Sequence, residues 1–128
     1  VIGNGDVDSG ESCKRTYDYT GCDLVMVGRA SCGRPWIFSE IKHYLETGET
    51  LPPPSPDEQL EIMNEHIRLL CADKGEYIGM KEARKHTAWY LKGRPGAAKL
   101  RNMCGSLATL EDFDNMLTLI RNTAQQDI

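Results

Sequence analysis

The sequence predicts a short α/β segment followed by an all-α domain. Two stretches, residues 2–6 and 24–29, are each predicted to form a buried strand that ends in a glycine and a polar or charged residue, and one helix-length segment separates them. Beyond a proline-rich stretch, apolar side chains recur at helical spacing. The order strand, helix, strand favours a parallel pair whose two glycine turns lie at the carboxyl ends of neighbouring strands.

The two glycine turns are predicted to bind a phosphate. Gly5 and Gly28 allow a backbone N–H to approach an anion closely, and Arg29 adds a charge-assisted contact to phosphate oxygens. In a (β/α)8 barrel the loops after the last two strands hold a cofactor phosphate at this place. The predicted fold is therefore the last two strand–helix units of a (β/α)8 TIM barrel, followed by a C-terminal four-helix domain.

Two parallel strands cannot close a barrel or cover their own faces, because parallel sheets are normally buried on both sides. We therefore expect the chain to be the C-terminal part of a longer enzyme. Residues 1–50 are predicted to end the barrel, and residues 51–56, with four prolines, to form an extended linker. Residues 57–128 are predicted to form the helical domain.

Capping residues and chain breakers predict the helices of the first part. One helix is predicted to open within residues 8–11, Asp-Ser-Gly-Glu, and to run to about Tyr19, with a turn at Thr20 and Gly21 before the second strand. The next is predicted to start around Pro35, at its first helical position, and to end near Leu45.

Four amphipathic helices are predicted after the linker. The first opens with a capping box from Ser55 to Glu58 and ends near Gly75, the second closes at Gly93, the third spans 97–104, and Thr109 caps the fourth. The predicted apolar faces comprise Leu60, Met63, Ile67, Leu70 and Cys71; Met80, Ala83, Thr87, Tyr90 and Leu91; and Leu110, Phe113, Leu117 and Ile120.

Composition excludes several classes of protein. No apolar run approaches the roughly 20 residues that cross a bilayer, so no membrane partner is expected. The five cysteines are odd in number and lack a Cys-x-x-Cys pair, which favours a reduced, cytoplasmic setting and structural thiols. His43, His66 and His86 show no metal-ligand spacing, so no metal is proposed.

The net charge of −4 conceals a basic segment. Residues 81–101 contain seven basic residues and one acidic residue, so the segment carries +6 and the rest of the chain −10. A concentrated basic patch on an acidic protein indicates local contact with a polyanion, with a solvated helix face as the alternative. The basic side chains considered for RNA are Lys81, Arg84, Lys85, Lys92, Arg94 and Arg101.

The second helix carries the most specific signal. On a helical wheel Lys81, Lys85 and Lys92 form a narrow stripe, and Trp89 lies beside it and opposite Met80. A basic stripe next to an aromatic that the core does not need is suited to phosphates and to stacking on a base. The alternative for Trp89 is packing against the preceding domain, and we expect His86 to be a hydrogen-bonded packing residue.

Taken together, these segments resemble the tRNA-dihydrouridine synthase family, and its bacterial branch in particular. The resemblance rests on residues 4–6, 20–23, 28–30, 33–38 and 84–93, in the order and with the spacing of the family. Asn-Gly-Asp and Gly-Arg are shared by many flavin barrels. The segments Gly-x-Pro-Trp-Ile-Phe and Arg-Lys-His-x-x-Trp-Tyr are more specific.

The resemblance implies a flavin oxidoreductase in which NADPH reduces FMN and the flavin reduces uridine in tRNA to dihydrouridine. It implies that Asn4, Gly5, Asp6, Gly28 and Arg29 bind FMN, chiefly its phosphate, and that the helical domain binds tRNA. The family's catalytic cysteine would lie upstream of Val1, so no catalytic residue is assigned and we expect these residues alone to be inactive. The full-length enzyme is expected to be a monomer.

Two other hypotheses remain open at this point. One is a different FMN barrel, similar to dihydroorotate dehydrogenase, which would share the glycine turns but lack the basic helical domain. The other is a free-standing helical RNA-binding module with residues 1–33 as a remnant. Residues 84–93 favour the synthase over the other barrel.

Overall fold

The computed structural model describes residues 1–4, 6–94 and 96–126. The chain separates into two compact units, Val1–Ser55 and Pro56–Ile128. Gly5, one of the residues predicted to bind phosphate, lies outside the described residues.

The first unit contains the predicted strand–helix–strand arrangement. Its elements are β1 (Ile2–Asn4), α1 (Gly10–Thr20), β2 (Leu24–Met26), a short 3-10 turn (Arg29–Ser31) and α2 (Ile37–Thr47). The two strands are parallel, with Ile2 opposite Leu24 and Asn4 opposite Met26. The parallel pairing therefore brings the ends of β1 and β2 to the same edge of the sheet, as the sequence predicted.

Helix α1 begins and ends at the residues that its sequence signals predicted. The Ser9 hydroxyl accepts a hydrogen bond from the Ser12 N–H at 3.1 Å, and the Ser12 hydroxyl accepts one from the Ser9 N–H at 3.0 Å. This reciprocal pair satisfies two N–H groups that a helix start leaves without helical partners. At the other end Gly21 adopts φ 64° and donates to the Tyr17 carbonyl at 2.9 Å, a left-handed cap that favours glycine.

Helix α2 starts later than predicted. Pro35 is not at its first helical position, because the helix begins at Ile37 with Trp36 as its N-cap. The Ile37 N–H donates to the Arg34 carbonyl at 3.0 Å, so Pro35 and Trp36 occupy a turn that precedes the helix. Proline's fixed φ suits the second position of such a turn as well as a helix start, so this signal could not distinguish the two.

The prediction that both strands are buried is wrong for this chain. Val25 and Val27 pack against the core cluster, but Ile2, Leu24 and Met26 are 62%, 59% and 56% exposed. Successive strand side chains point to opposite faces, and α1 and α2 contribute the buried side chains that meet only one of them. The buried cluster of this unit comprises Val7, Cys13, Ile37 and Ile41.

The regular secondary structure of the second unit, within residues 56–94 and 96–126, is entirely helical. Its helices are α3 (Pro56–Lys74), α4 (Glu76–Leu91), α5 (Ala97–Cys104) and α6 (Leu110–Gln126). Gly75 alone separates α3 from α4, and its φ of 85° lets the chain reverse within one residue. The two helices form an antiparallel hairpin, because Lys74 contacts Glu82 near the turn and His66 contacts Tyr90 further from it.

The hairpin is close-packed at Gly79. A Cβ built on Gly79 would lie 2.8 Å from the Cα of Cys71, so only glycine fits between the two helices here. Such an approach of two backbones lets the apolar faces of both helices interlock. Met63 and Ile67 on α3, with Met80 and Ala83 on α4, are fully buried as a result.

The cap predicted for α6 and most of the residues predicted to face the core are confirmed. Thr109 caps α6, since its hydroxyl accepts from the Asp112 N–H at 3.1 Å while the Asp112 carboxylate accepts from the Thr109 N–H at 3.2 Å. Leu70 and Leu110, predicted to face the core, are only half-buried. Met116 is buried although the spacing did not assign it to the core.

Replacing Gly79 by alanine should destabilise the helical unit. The new methyl group meets backbone rather than a flexible side chain, and overpacking of this kind costs about 1 to 3 kcal/mol. Replacing a glycine inside a helix by alanine returns about 1 kcal/mol, so we expect a net loss of up to about 2 kcal/mol. Native-state amide hydrogen exchange in α4 measures this loss.

Gly105→Ala is the matched control for this prediction. Gly105 has φ −63°, and nothing lies within 4 Å of the position that its Cβ would take. We expect its exchange rates in α4 to stay close to those of the wild type. Equal protection of α4 in the Gly79→Ala and Gly105→Ala variants would contradict the close-packed contact.

Candidate functional site

A cleft of about 460 Å³ opens in the first unit where the chain leaves its two strands. It is lined by Asp6, Val7, Asp8, Gly28, Arg29 and Ala30. Asp6, Gly28 and Arg29, which the sequence predicted as cofactor-binding residues, therefore lie together. Asn4 is the last residue of β1 and ends at the same edge.

Arg29 and Asp6 form an ion pair across this cleft, with their side chains 85% and 79% exposed. Nothing lies within 4 Å of the position where a Cβ of Gly28 would be. The cleft therefore combines an open backbone approach with one accessible guanidinium group. An anion that enters would compete with the Asp6 carboxylate for Arg29.

Three of the five cysteines, Cys13, Cys71 and Cys104, are buried, as expected of structural thiols. Burial raises the pKa of the Cys13, Cys71 and Cys104 thiols, which keeps them protonated at neutral pH. Cys32 is exposed just beyond the 3-10 turn. No group of three or more His, Cys, Asp or Glu side chains in the described part of the chain is placed to hold a metal ion.

Lys81, Lys85, Trp89 and Lys92 lie on the outer side of α4 or at its end, and we call this set the basic face. All four are exposed, and the buried residues of α4 lie on the other side of the helix. Among the described residues no ion pair involves any of the three lysines. Glu82, the acidic residue of the basic segment, is held by Lys74 at 2.8 Å, and this hydrogen bond lowers its pKa. The basic face thus keeps its positive charge.

Two of the arginines predicted to bind RNA also make hydrogen bonds within the helical unit. The Arg84 guanidinium donates to the Leu107 carbonyl at 2.8 Å, which ties α4 to the segment before α6. The Arg94 guanidinium donates to the Pro56 carbonyl at 2.8 Å, which ties the end of α4 to the start of α3. Both side chains are half-buried, and burial lowers the pKa of Arg94. Arg101, on α5, is exposed.

Sequence reasoning did not single out Tyr77, which stands at the start of the same exposed side of α4. Its ring is 72% exposed, and the Lys81 Nζ lies 4.3 Å from the ring centroid. The Lys85 Nζ lies 6.0 Å from the Trp89 ring centroid. The four-residue spacing of Tyr77 from Lys81 is a signal that could have identified this residue.

An aromatic cluster lies beside the basic face, between α3 and α4. His66 Nδ1 and the Tyr90 hydroxyl share a hydrogen bond of 2.9 Å, and the ring centroids of His66 and His86 are 4.8 Å apart. His86 also meets Trp89 edge to face at 5.4 Å. His86 is thus a packing residue, as predicted, while the hydrogen bond that we expected for it is made by His66.

Burial sets the charge of this cluster. It lowers the pKa of His66 and of His86, and for His86 the nearby His66 and Lys85 lower it further. Burial also raises the pKa of Tyr90 to about 12. Both imidazoles and the phenol are therefore neutral at pH 7.

None of the helices formed by the described residues is long and apolar enough to span a bilayer.

Known proteins are similar to this chain over most of its length. Residues 1–127 match the family described as Dihydrouridine synthase (Dus). The chain is 50% identical over 101 residues to tRNA-dihydrouridine synthase B of Vibrio vulnificus strain CMCP6, covering 79% of this chain and 31% of that protein. It is 43% identical over 124 residues to the protein of the same name in Vibrio cholerae, covering 91% and 38%. The chain thus spans about a third of the length of these curated relatives.

The stability of the helical unit should fall as the pH drops below about 6.5. Because the folded pKa values of His66 and His86 lie below the ordinary value of 6.5, the unfolded chain takes up protons first as the pH falls. Above pH 6.5 neither state gains protons at these groups, so the contribution there is constant. Urea unfolding of α4, followed by amide signals from pH 8 to pH 5, measures the effect.

His86→Gln should flatten this pH dependence, because it removes one of the two groups that cause it. His43→Gln is the control, since His43 belongs to α2 in the first unit. In an NMR titration of the imidazole protons, His66→Gln should also raise the midpoint of His86, whose cationic neighbour is then missing. An unchanged slope in His86→Gln would show that the cluster does not control the response.

Proposed function

Because this chain belongs to the dihydrouridine synthase family, we propose that it serves in an enzyme that reduces uridine in tRNA to 5,6-dihydrouridine. The first unit, as the end of a (β/α)8 barrel, contributes part of an FMN phosphate site, and the helical unit contributes a surface for tRNA. The curated relatives support the proposal through their name, which is tRNA-dihydrouridine synthase B. The basic face is the observation that carries the tRNA part of it.

The basic face suits a nucleic-acid backbone for an electrostatic reason. Its three lysines are exposed and have no acidic partner among the described residues, since Lys74 occupies Glu82. Neutralising phosphates with such lysines releases counterions from the RNA, which favours binding. Trp89 adds an aromatic ring beside these charges. A small-molecule oxidoreductase has no need of this surface.

The cleft of the first unit fits one phosphate group of FMN. Arg29 supplies an accessible guanidinium, and Gly28 leaves open space where any other residue would place a Cβ. Gly28 and Arg29 would hold the phosphate, with Arg29 exchanging the Asp6 carboxylate for phosphate oxygens. Asp6, once released, stays at the cleft edge with Asn4, where both are proposed to contact the cofactor. Gly5 is proposed as part of the same turn on the grounds of its sequence alone.

When bound and reduced by NADPH, FMN supplies the hydride that converts the uracil ring to its dihydro form. The proposed role of this chain is to bind the cofactor and the tRNA and to position them. Arg29 and Gly28 anchor the phosphate end of the cofactor, and the basic face holds the tRNA backbone while the target uridine is turned out of the tRNA fold. No residue described here is assigned a proton-transfer role.

Lys85→Gln and Lys92→Gln should each weaken tRNA binding and reduce its salt dependence. Each lost phosphate contact lowers the slope of log affinity against log salt by roughly 0.7 to 0.9. Titrations of the wild-type chain and of each variant with tRNA at several salt concentrations measure the slope. Arg121→Gln, which removes an exposed charge on α6 outside the basic segment, is the control.

Arg84→Gln and Arg94→Gln should behave differently from the lysine variants. Each leaves a backbone carbonyl without its guanidinium donor, so we expect a loss of stability of about 1 to 3 kcal/mol.

If Lys85→Gln and Lys92→Gln both bind tRNA with the affinity and salt slope of the wild type, the basic face is an ordinary solvated helix side. That result would contradict the tRNA proposal.

Arg29→Ala should weaken FMN binding in the full-length protein that carries this chain. A charge-assisted contact contributes about 1.5 to 3 kcal/mol, which corresponds to about 10- to 100-fold in the dissociation constant. Flavin fluorescence after dialysis against FMN measures the affinity. Lys42→Ala removes an exposed charge of α2 in the same unit and should have no effect. Full flavin retention in Arg29→Ala would rule out this anchor.

A further inference from the structure

Tyr77 and Trp89 stand at the two ends of one row of side chains on α4. The row consists of Tyr77, Lys81, Lys85 and Trp89, and we call it the aromatic–lysine row. Its members are four residues apart, a spacing that makes them neighbours along one ridge of a helix. All four are exposed, although large aromatic rings are usually drawn into a core.

Each ring of the row has an ammonium group over it. The Lys81 Nζ lies 4.3 Å from the Tyr77 ring centroid and the Lys85 Nζ lies 6.0 Å from that of Trp89. Cation–π contacts at exposed sites are weak, so another partner readily displaces either ammonium group. The order ring, cation, cation, ring therefore presents two stacking surfaces with two phosphate-binding groups between them.

We infer that the aromatic–lysine row binds unpaired nucleotides, with one base stacked on Tyr77 and another on Trp89 and with phosphates at Lys81 and Lys85. The inference rests on the proposed function, because it identifies the form of RNA that the basic face takes. In a duplex the faces of the bases are covered, so an exposed ring can stack only on a base that has been released. Binding would move each ammonium from its ring to a phosphate.

The length of the row determines how many nucleotides it meets. Trp89 lies twelve positions after Tyr77 on the helix, which at a rise of about 1.5 Å per residue is about 18 Å along the axis. The two rings are too far apart to hold one base between them, so each takes a separate nucleotide. His86 meets the edge of the Trp89 ring at 5.4 Å and restricts its orientation, whereas Tyr77 is 72% exposed and free to adjust.

The charges around the row favour RNA over an acidic protein segment. Within the described part of the chain, neither lysine of the row has a carboxylate partner, and Glu82 beside them is paired with Lys74. Aromatic rings alternating with cations suit a chain that itself alternates bases and phosphates.

The test compares a short single-stranded oligouridylate with an RNA duplex of equal length, each labelled with fluorescein and followed by anisotropy. Tyr77→Leu keeps an apolar side chain but removes the ring, and it should weaken binding of the single strand between about fivefold and about 100-fold. Binding of the duplex should change less than about twofold on the same scale. Tyr77→Phe should bind as the wild type does.

Tyr19→Leu is the matched control, because Tyr19 is 93% exposed on α1 in the first unit. Tyr77→Leu should leave the salt slope unchanged, since loss of stacking releases few counterions, whereas Lys85→Gln should lower it. A second measurement does not depend on any variant. On addition of oligouridylate to the wild-type chain, the ring protons of Tyr77 should shift upfield and those of Tyr19 should not.

Two results would overturn the inference, and they are distinguishable from failure of the proposed function. If Tyr77→Leu binds the single strand as the wild type does, or if it weakens strand and duplex equally, Tyr77 is not a stacking surface. The tRNA proposal survives either result as long as Lys85→Gln and Lys92→Gln still lower the salt slope for tRNA. If those two variants have no effect either, both ideas fail.

Discussion

The close contact between Gly79 and Cys71 is the constraint on which the helical unit depends. With a Cβ at position 79 only 2.8 Å from the Cα of Cys71, the two helices could not approach as they do. Because Gly75 reverses the chain just before, this contact also fixes the register of the hairpin. That register places Lys74 beside Glu82 near the turn and His66 beside Tyr90 two turns further along. Packing on one side of α4 therefore decides which charges remain available on the other.

The basic side chains on α4 and just beyond its end have two different roles. Arg84 on α4 and Arg94 just beyond its end donate to the carbonyls of Leu107 and Pro56 and hold neighbouring segments in place. The lysines of the basic face have no such partner in the part of the chain that the structure describes. A guanidinium has several donors in a rigid plane and suits fixed carbonyl acceptors, whereas an ammonium on a flexible stem suits a mobile phosphate. Accordingly, the arginines make the fixed contacts within the unit and the lysines are exposed on its surface.

Local signals predicted most of the helices, and long-range contacts account for what was missed. Ser9 and Thr109 cap their helices as expected, because a cap depends only on residues within one turn. The start of α2 was misplaced because proline suits a turn and a helix start equally. The bond from Arg84 to Leu107 spans 23 residues and leaves no trace in either local pattern. For the cleft, the sequence identified Arg29 and Gly28 but gave no sign that Asp6 pairs with Arg29.

The brevity of the α3–α4 connection also affects the order in which the unit assembles. Lys74 and Glu82 are 8 residues apart and His66 and Tyr90 are 24 apart, whereas Arg68 and Asp114, which join α3 to α6, are 46 apart. Loop closure costs more for longer loops, and folds rich in local contacts form fastest. The hairpin is therefore favoured to form before α6 docks. On a ribosome, where the chain emerges from its N-terminus, the α3–α4 hairpin can therefore form while α6 is still being synthesised.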